Sequence, residues 1–238
     1  MKALMPDVSS HLPMLRSGRW FAQLPPDFAQ GLLDMARVRH LQAGEKLFLR
    51  DAAPCGLYAV VRGTIRISGH SGEGDGAREA VLVLLSPPQW FGEISVFDGS
   101  ARTHDAHAAE PCTLLHIPHE ELLAWLTQHP AHWRDLAVLM ADKLRLAFVS
   151  MEEQTVLPAP QRLARRLLTM ALSYGQATES DRTLRVLVVT QEQLALMIGV
   201  SRQTTNQILR DFKARGVLHV QRGCIELLDL QALRAECE

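Results

Sequence analysis

The segment from Ala131 to Leu157 contains no glycine and no proline, and this uninterrupted stretch limits the folds open to the chain. Its apolar residues recur every three or four positions, as in one stripe of an α-helix. They are Leu136, Met140, Leu144, Ala147 and Met151. A helix of this length spans roughly 40 Å and needs a packing partner along its apolar stripe. A second copy of the chain is the most economical partner, and the chain's own preceding region is the alternative.

The region before this helix has the pattern of short β-strands separated by turns. The strand-like runs are KLFL, LYAVV, TIRIS, AVLVLL and CTLLHI, all between Val38 and Pro118. They are short, apolar and rich in residues that fit a pleated sheet. Glycine-containing turns separate them, among them the loop Gly69–Ala77 with its four glycines. Several short strands at this spacing predict a sandwich or a barrel.

Leu157-Pro158-Ala159-Pro160 ends the long helix and predicts a hinge, because a residue before proline is biased away from α geometry. The net charge of −1 divides unevenly at this point. Residues 1–157 hold 14 basic and 18 acidic residues, whereas residues 158–238 hold 11 and 8. We therefore expect three parts: a β-rich domain at 1–130, a dimerisation helix at 131–157 and a more basic domain at 158–238.

Several classes of protein are disfavoured by composition. No stretch approaches the roughly 20 apolar residues that span a bilayer, and Met1–Ser10 lacks the apolar run of a signal peptide. The four cysteines, at 55, 112, 224 and 237, form no CxxC pair, so no zinc module, iron–sulfur site or disulfide framework is indicated. We expect a cytoplasmic protein with no membrane partner. We recognise no catalytic triad and no P-loop, and we expect no enzyme.

The most informative segment is QEQLALMIGVSRQTTNQILR, Gln191–Arg210, which fits a helix-turn-helix. Thr190 followed by Gln193 is a capping-box pattern, and Gly199 allows the positive φ of a tight turn. Leu194 and Ile198 face inward together, and Ser201 caps the second helix. Ile208, Leu209 and Phe212 bury the back of that second helix.

The other face of the second helix carries long polar side chains that can hydrogen-bond to base edges in the major groove. The residues expected at DNA are Ser201, Arg202, Gln203, Thr204, Asn206, Gln207 and Arg210, with Thr190 and Arg222 at the flanks. The run VLHVQRGCIELL predicts two short strands with Arg222-Gly223 at their turn, which is the wing of a winged helix. An ordinary solvated helix face in an interaction domain is the alternative.

A second constellation, FGEISVFDGSARTHDA, lies at Phe91–Ala106. Gly92 permits close backbone approach, and the helical turn beginning at Ile94 presents N–H groups suited to a phosphate. Arg102 can neutralise that phosphate, Thr103 can donate a hydroxyl, and Glu93 can accept hydrogen bonds from sugar hydroxyls. A surface turn with a Glu93–Arg102 ion pair is the alternative.

The ten histidines do not predict a metal site. His104 and His107, His116 and His119, and His129 and His132 are each three residues apart, and on a strand such pairs face opposite ways. No third ligand accompanies them, so no metal is expected. A haem held by one axial histidine leaves no spacing signature and stays open.

Taken together, the strand region with FGE and DGSART, the long helix and the terminal VSRQTTNQILRDFKARGVL resemble the CRP/FNR family of bacterial transcription regulators. The resemblance covers the chain beyond about Trp20. It implies an α+β architecture: a cyclic-nucleotide-binding-like β-roll, a long dimerisation helix and a winged helix-turn-helix. It further implies a homodimer on double-stranded DNA with a two-fold symmetric operator, and RNA polymerase as a further partner.

By this resemblance Glu93, Arg102 and Thr103 fall on the family's sugar- and phosphate-contacting positions. Ala147 and Phe148 stand where cyclic AMP-binding members have two base-contacting hydroxyl residues, although Phe148 can stack on a base. Gln203 and Gln207 replace a glutamate and an arginine, which predicts a different operator. The effector therefore stays open between cyclic AMP, cyclic di-GMP, another sensing chemistry and none, as does an interaction module that has lost DNA binding.

Overall fold

The computed structural model describes residues 8–71, 78–173 and 186–238. The chain divides into two compact units. The described residues of the first unit are 8–68 and 84–144, and those of the second are 69–71, 78–83, 145–173 and 186–238.

Short helical segments open the first unit. A 3₁₀ turn at Val8–His11 leads into α1 (Leu12–Arg16), α2 (Arg19–Ala22) and α3 (Pro26–Met35). Pro26 occupies the first turn of α3, where the N–H that proline lacks has no partner within the helix. Trp20 and Phe28 are buried and meet edge to face at 6.3 Å between ring centroids, so these helices are part of the core.

Two four-stranded sheets form the β-roll, and they confirm the predicted fold class. The strands are β1 (Arg37–Leu41), β2 (Lys46–Phe48), β3 (Gly56–Arg62), β4 (Ile65–Ser71), β5 (Arg78–Leu85), β6 (Trp90–Phe91), β7 (Asp105–Ala108) and β8 (Cys112–Pro118). One sheet has the order β1-β8-β3-β6 and the other β2-β7-β4-β5. A short helix, α4 (Ile94–Asp98), follows β6.

The pairing of β3 with β8 decides which side chains face inward. Leu57 opposes Ile117, and both belong to the apolar core that includes the helices. Tyr58 opposes His116 on the other face, where its ring lies 5.9 Å from that of Phe48 in the second sheet. On this face of the two strands, aromatic and polar side chains therefore lie beside the buried aliphatic residues Val60 and Leu114.

The long helix is present as predicted, although it starts two residues later and ends one residue earlier. After α5 (His119–Gln128), a 3₁₀ turn at Pro130–His132 leads into α6 (Trp133–Val156). Leu136 is fully buried in the first unit's own core. The prediction that Leu136 lies against a second copy is therefore wrong, because its own domain already covers it.

The later residues of the apolar stripe on α6 are more exposed to solvent than Leu136. Met140 is half-buried, Ala147 is exposed, and Leu144 and Met151 are 53% and 65% exposed. Two large apolar side chains at this level of exposure on one helix form an uncovered apolar surface.

His132 connects α3 to the start of α6. Its Nδ1 lies 2.7 Å from Asp135 Oδ2, its Nε2 lies 3.1 Å from Asp27 Oδ2, and its ring stacks on Phe28. Burial alone lowers the pKa of His132, but the hydrogen bonds to the two carboxylates outweigh burial and raise it above the usual value.

The second unit contains the predicted winged helix. Helix α7 (Ala159–Ala171) begins directly after Pro158, which is its cap, and Pro160 lies in its first turn. The other elements are β9 (Val186–Leu187), α8 (Gln191–Ile198), α9 (Arg202–Ala214), β10 (Leu218–Gln221), β11 (Cys224–Leu227) and α10 (Leu230–Ala235). The sheet order is β10-β11-β9. The strand-like run TLRVLVV precedes α8, and its residues 183–185 lie outside the described part of the chain.

Candidate effector site and nucleic-acid interface

Arg102 is the most unusual charged residue of the β-roll, because its side chain lies inside the protein. The residue is only 4% exposed. Its Nη1 donates to the Gly92 carbonyl at 2.9 Å, and its Nη2 donates to the Gly56 carbonyl at 2.6 Å and to Cys55 Sγ at 3.0 Å. The guanidinium carbon lies 4.4 Å from the centre of the Phe48 ring, as in a cation–π contact.

Within the described part of the chain, this buried positive charge has no counterion. Among the described residues no carboxylate lies within ion-pair distance of Arg102, and its Nε–H has no acceptor. A guanidinium carries five N–H donors, and the three contacts above use only three of them. Buried charges in proteins are normally paired, so this site is chemically suited to an anion.

Glu93 has a different partner from the one that sequence reasoning considered. Its carboxylate is almost fully buried, and Oε2 lies 2.6 Å from Nζ of Lys143 on α6. The alternative of a Glu93–Arg102 ion pair is therefore not found in the described structure. Sequence reasoning missed Lys143, because 50 residues separate it from Glu93 and no local pattern links the two.

The other predicted effector residues are Gly92, Ile94, Thr103 and Phe148, and they differ in exposure and contacts. Gly92 has a φ of +98°, and a Cβ there would lie 2.7 Å from the Gly56 carbonyl oxygen and 3.1 Å from Arg102 Nη1. Only glycine therefore allows this backbone to reach the arginine. Ile94 starts α4 and is exposed, and Thr103 is exposed with Oγ1 2.9 Å from His104 Nδ1. Phe148, on α6, is 61% exposed.

The electrostatics of the roll interior favour an anion. Burial lowers the pKa of His116, and the positive charges of Arg39, Arg37 and Arg102 lower it further, although the Cys55 carbonyl opposes them. Burial also raises the pKa of Tyr58, which donates to Cys55 Sγ at 3.2 Å. The shifted pKa values favour the neutral form of both rings, so neither ring supplies a counterion to Arg102.

The helix-turn-helix has the local geometry that its sequence predicts. Thr190 Oγ1 accepts from Gln193 N at 3.1 Å while Gln193 Oε1 accepts from Thr190 N at 2.8 Å, which completes the capping box. Gly199 ends α8 with a φ of +67°. Ser201 Oγ accepts from Thr204 N at 3.0 Å and caps α9.

The polar face of α9 is open to solvent. Residues exposed there are Arg202, Gln203, Thr204, Gln207 and Arg210. Asn206 departs from the prediction, since it is half-buried and its Oδ1 is buried without a hydrogen-bond partner. Arg222 is exposed between β10 and β11, where the sequence predicts the wing.

The described residues include neither a membrane-spanning helix nor a cluster of metal-binding side chains. No helix there is long and apolar enough to cross a membrane. The same residues contain no group of three or more histidine, cysteine or acidic side chains placed to hold a metal ion.

Comparisons with known proteins agree with this division of the chain. A cyclic nucleotide-binding domain family matches residues 38–129, and a Crp-like helix-turn-helix domain family matches residues 161–236. The first therefore covers the β-roll with Glu93 and Arg102, and the second covers the helix-turn-helix.

Full-length relatives extend the match across both units. The chain is 28% identical over 214 residues to a "CRP-like cAMP-activated global transcriptional regulator" of Mycobacterium tuberculosis, covering 90% of this chain and 93% of that protein. It is 28% identical over 214 residues to the "Cyclic AMP receptor protein" of Thermus thermophilus, covering 90% and 94%. A solved CRP/FNR-family transcriptional regulator of Thermus thermophilus matches with 26% identity and a TM-score of 0.62, covering 84% of this chain and 98% of that one. The chain belongs to the CRP/FNR family of transcription regulators, with a cyclic nucleotide-binding domain and a DNA-binding Crp-like helix-turn-helix.

Proposed function

We propose that this transcription regulator acts as a homodimer whose binding to a two-fold symmetric operator is controlled by a phosphate-bearing nucleotide effector. One observation carries the effector part of the proposal: Arg102 is a buried guanidinium with no carboxylate counterion among the described residues. A phosphodiester supplies the missing negative charge and accepts the N–H donors that remain. The protein would then bind DNA, with RNA polymerase as a further partner, rather than catalyse a reaction.

The effector would act on α6 through Glu93. A ribose hydroxyl that donates to the buried carboxylate competes with Lys143 for the same oxygen atoms. Because Lys143 lies on α6, a change in this contact changes how the helix is held against the roll. The same helix carries the exposed apolar side chains of Leu144 and Met151, so this competition joins effector binding to the proposed dimer surface.

The proposed dimer accounts for the exposed stripe on α6. It is unfavourable to expose large apolar side chains to water. Packing against a second α6 removes these side chains from water and so stabilises the dimer. Met140, Leu144, Ala147 and Met151 are the proposed interface residues. Two copies of α9 related by a two-fold axis then match an operator whose half-sites are one or more helical turns apart.

Two residues of α6, Ala147 and Phe148, affect which class of nucleotide can bind. Neither Ala147 nor Phe148 has a side chain that can hydrogen-bond to a base edge. We propose that Phe148 stacks on the base, which is compatible with either cyclic AMP or cyclic di-GMP.

A thermal-shift panel with cyclic AMP, cyclic GMP and cyclic di-GMP tests the proposal. An effector at 100 times its Kd stabilises the native protein by about 2.7 kcal/mol. The stabilisation should fall strongly in Arg102→Lys, which keeps the charge but loses the fork of donors, and it should persist in the control Arg62→Ala, an exposed arginine on β3. A response that is the same in all three proteins contradicts the proposed site.

DNA binding is tested separately with genomic fragments. The double variant Arg202→Ala/Gln203→Ala removes two exposed side chains from α9 without touching its buried face. We expect loss of sequence-specific retention. Unchanged retention by the double variant indicates that α9 is not the DNA-reading element.

A further inference from the structure

The exposed face of α9 is centred on two glutamines. Thr205, Ile208, Leu209 and Phe212 are buried and lie together on one side of the helix. Because each residue advances about 100° around the axis, the opposite side is centred close to Gln203 and Gln207. The two side chains are one turn apart and both are exposed.

Neither glutamine is engaged by the residues that the structure describes. No hydrogen bond joins Gln203 or Gln207 to any described residue, so their amides are available to an external partner. Asn206 lies off this centre, with its Oδ1 buried. Two of the polar groups near this centre are therefore amides, each with a donor and an acceptor, and the exposed Arg210 follows on the same side of the helix.

Helix α9 carries no free carboxylate on its exposed face, as far as the described residues show. The one acidic residue of α9 is Asp211, and its Oδ2 lies 2.6 Å from Nη2 of Arg215. Cytosine is read by a carboxylate that accepts from its amino group, whereas adenine is read by an amide that both donates and accepts at N7 and N6. The face centred on the two glutamines therefore has the chemistry for adenine and lacks the chemistry for cytosine.

We propose that Gln203 and Gln207 each read the adenine of an A·T pair, so that every operator half-site contains two such pairs. The inference rests on the proposed binding of α9 in the major groove. Along a helix axis the two residues are separated by about 6 Å, which is close to two base-pair steps. The two adenine-reading positions therefore lie within about three base pairs of each other, and Arg210, one turn further along the helix, contacts the phosphate backbone.

Selection from a randomised double-stranded DNA pool, followed by fluorescence anisotropy on single-base variants of the selected site, tests this assignment. Gln203→Glu and Gln207→Glu convert each amide into an acceptor-only carboxylate. Each variant should change the preferred base from adenine to cytosine at one half-site position, and the two variants should act at different positions. Discrimination by one bidentate pair corresponds to about 5- to 150-fold in affinity.

Arg210→Gln is the matched control, because it also alters one exposed polar side chain of α9. It should weaken binding to all sequences alike, with no change in base preference. The slope of log affinity against log salt concentration should fall in magnitude by about one. Comparing base preferences within each variant cancels the general repulsion that a new carboxylate adds.

The outcomes separate this inference from the proposed function. A wild-type motif whose two A·T pairs respond separately to the two substitutions supports it. A wild-type motif that neither Gln203→Glu nor Gln207→Glu alters overturns it while leaving operator binding intact. Failure of the wild type to select any motif overturns both proposals.

Discussion

Replacing Lys143 by methionine should destabilise the β-roll, because the substitution leaves the Glu93 carboxylate without its cation. The carboxylate side chain is 3% exposed, whereas the lysine side chain is 31% exposed. Methionine keeps most of the apolar stem of lysine, so packing changes little and the lost ion pair dominates.

The expected size of the effect follows from these exposures. Removing one partner of a fully buried ion pair costs about 3–5 kcal/mol, and removing a hydrogen bond to a charged group costs about 1.5–3 kcal/mol. Since water already reaches Lys143, we expect the loss of folding free energy to fall in the lower of these two ranges, at about 2 kcal/mol. In a chain of this size that loss lowers the melting temperature by about 4–8 °C.

Tryptophan fluorescence during urea unfolding is the appropriate assay. All four tryptophans, at positions 20, 90, 125 and 133, lie in the first unit, so the signal reports on the domain that contains Glu93. The double variant Glu93→Gln/Lys143→Met is the control. It removes the charge together with its partner and should recover at least half of the lost stability.

Two results would refute this reasoning. A Lys143→Met protein within about 0.5 kcal/mol of wild type would mean that water, rather than lysine, satisfies the carboxylate. Strictly additive effects of the two single substitutions in the double-mutant cycle would mean that the two side chains do not interact.

Further predictions concern other parts of the chain. The raised pKa of His132 means that the protonated ring favours the folded state, so its stabilisation is complete below the usual histidine pKa and is lost as pH rises through the raised value. The urea midpoint of His132→Gln, followed from mildly acidic to mildly alkaline pH, should be less pH-dependent than that of wild type, and an unchanged slope contradicts this. Leu144→Glu/Met151→Glu should convert the proposed dimer to monomer in sedimentation equilibrium, whereas Leu228→Glu, an exposed position away from α6, should not. Gly199→Ala should cost about 1–2 kcal/mol, because φ there is +67°. This loss should lower the circular dichroism transition of the second unit and leave the tryptophan transition in place.

The elements that local patterns specify were predictable from the sequence. The capping box at Thr190, the positive φ at Gly199 and the cap at Ser201 each depend on residues within a few positions of each other. The same holds for the strands of the roll, since alternation and turn glycines act over short ranges. The uninterrupted helix was predictable to within two residues at its start.

Contacts between distant segments were not predictable. The Lys143–Glu93 ion pair and the bond from Arg102 to the Gly56 carbonyl join residues 50 and 46 positions apart. Leu136 shows a related limit: helical periodicity indicates that a side chain is covered, but it does not say whether its own domain or a partner covers it.

The way Arg102 is held has a consequence for the speed and cost of recognising an anion. A free arginine side chain loses about 2 kcal/mol of rotamer entropy when it is ordered. Here two carbonyls, a thiol and an aromatic face have already ordered it during folding. The proposed anion therefore meets a guanidinium that is already ordered, and its binding does not have to order this side chain. Association of the anion is then governed by access to the roll rather than by rearrangement of Arg102.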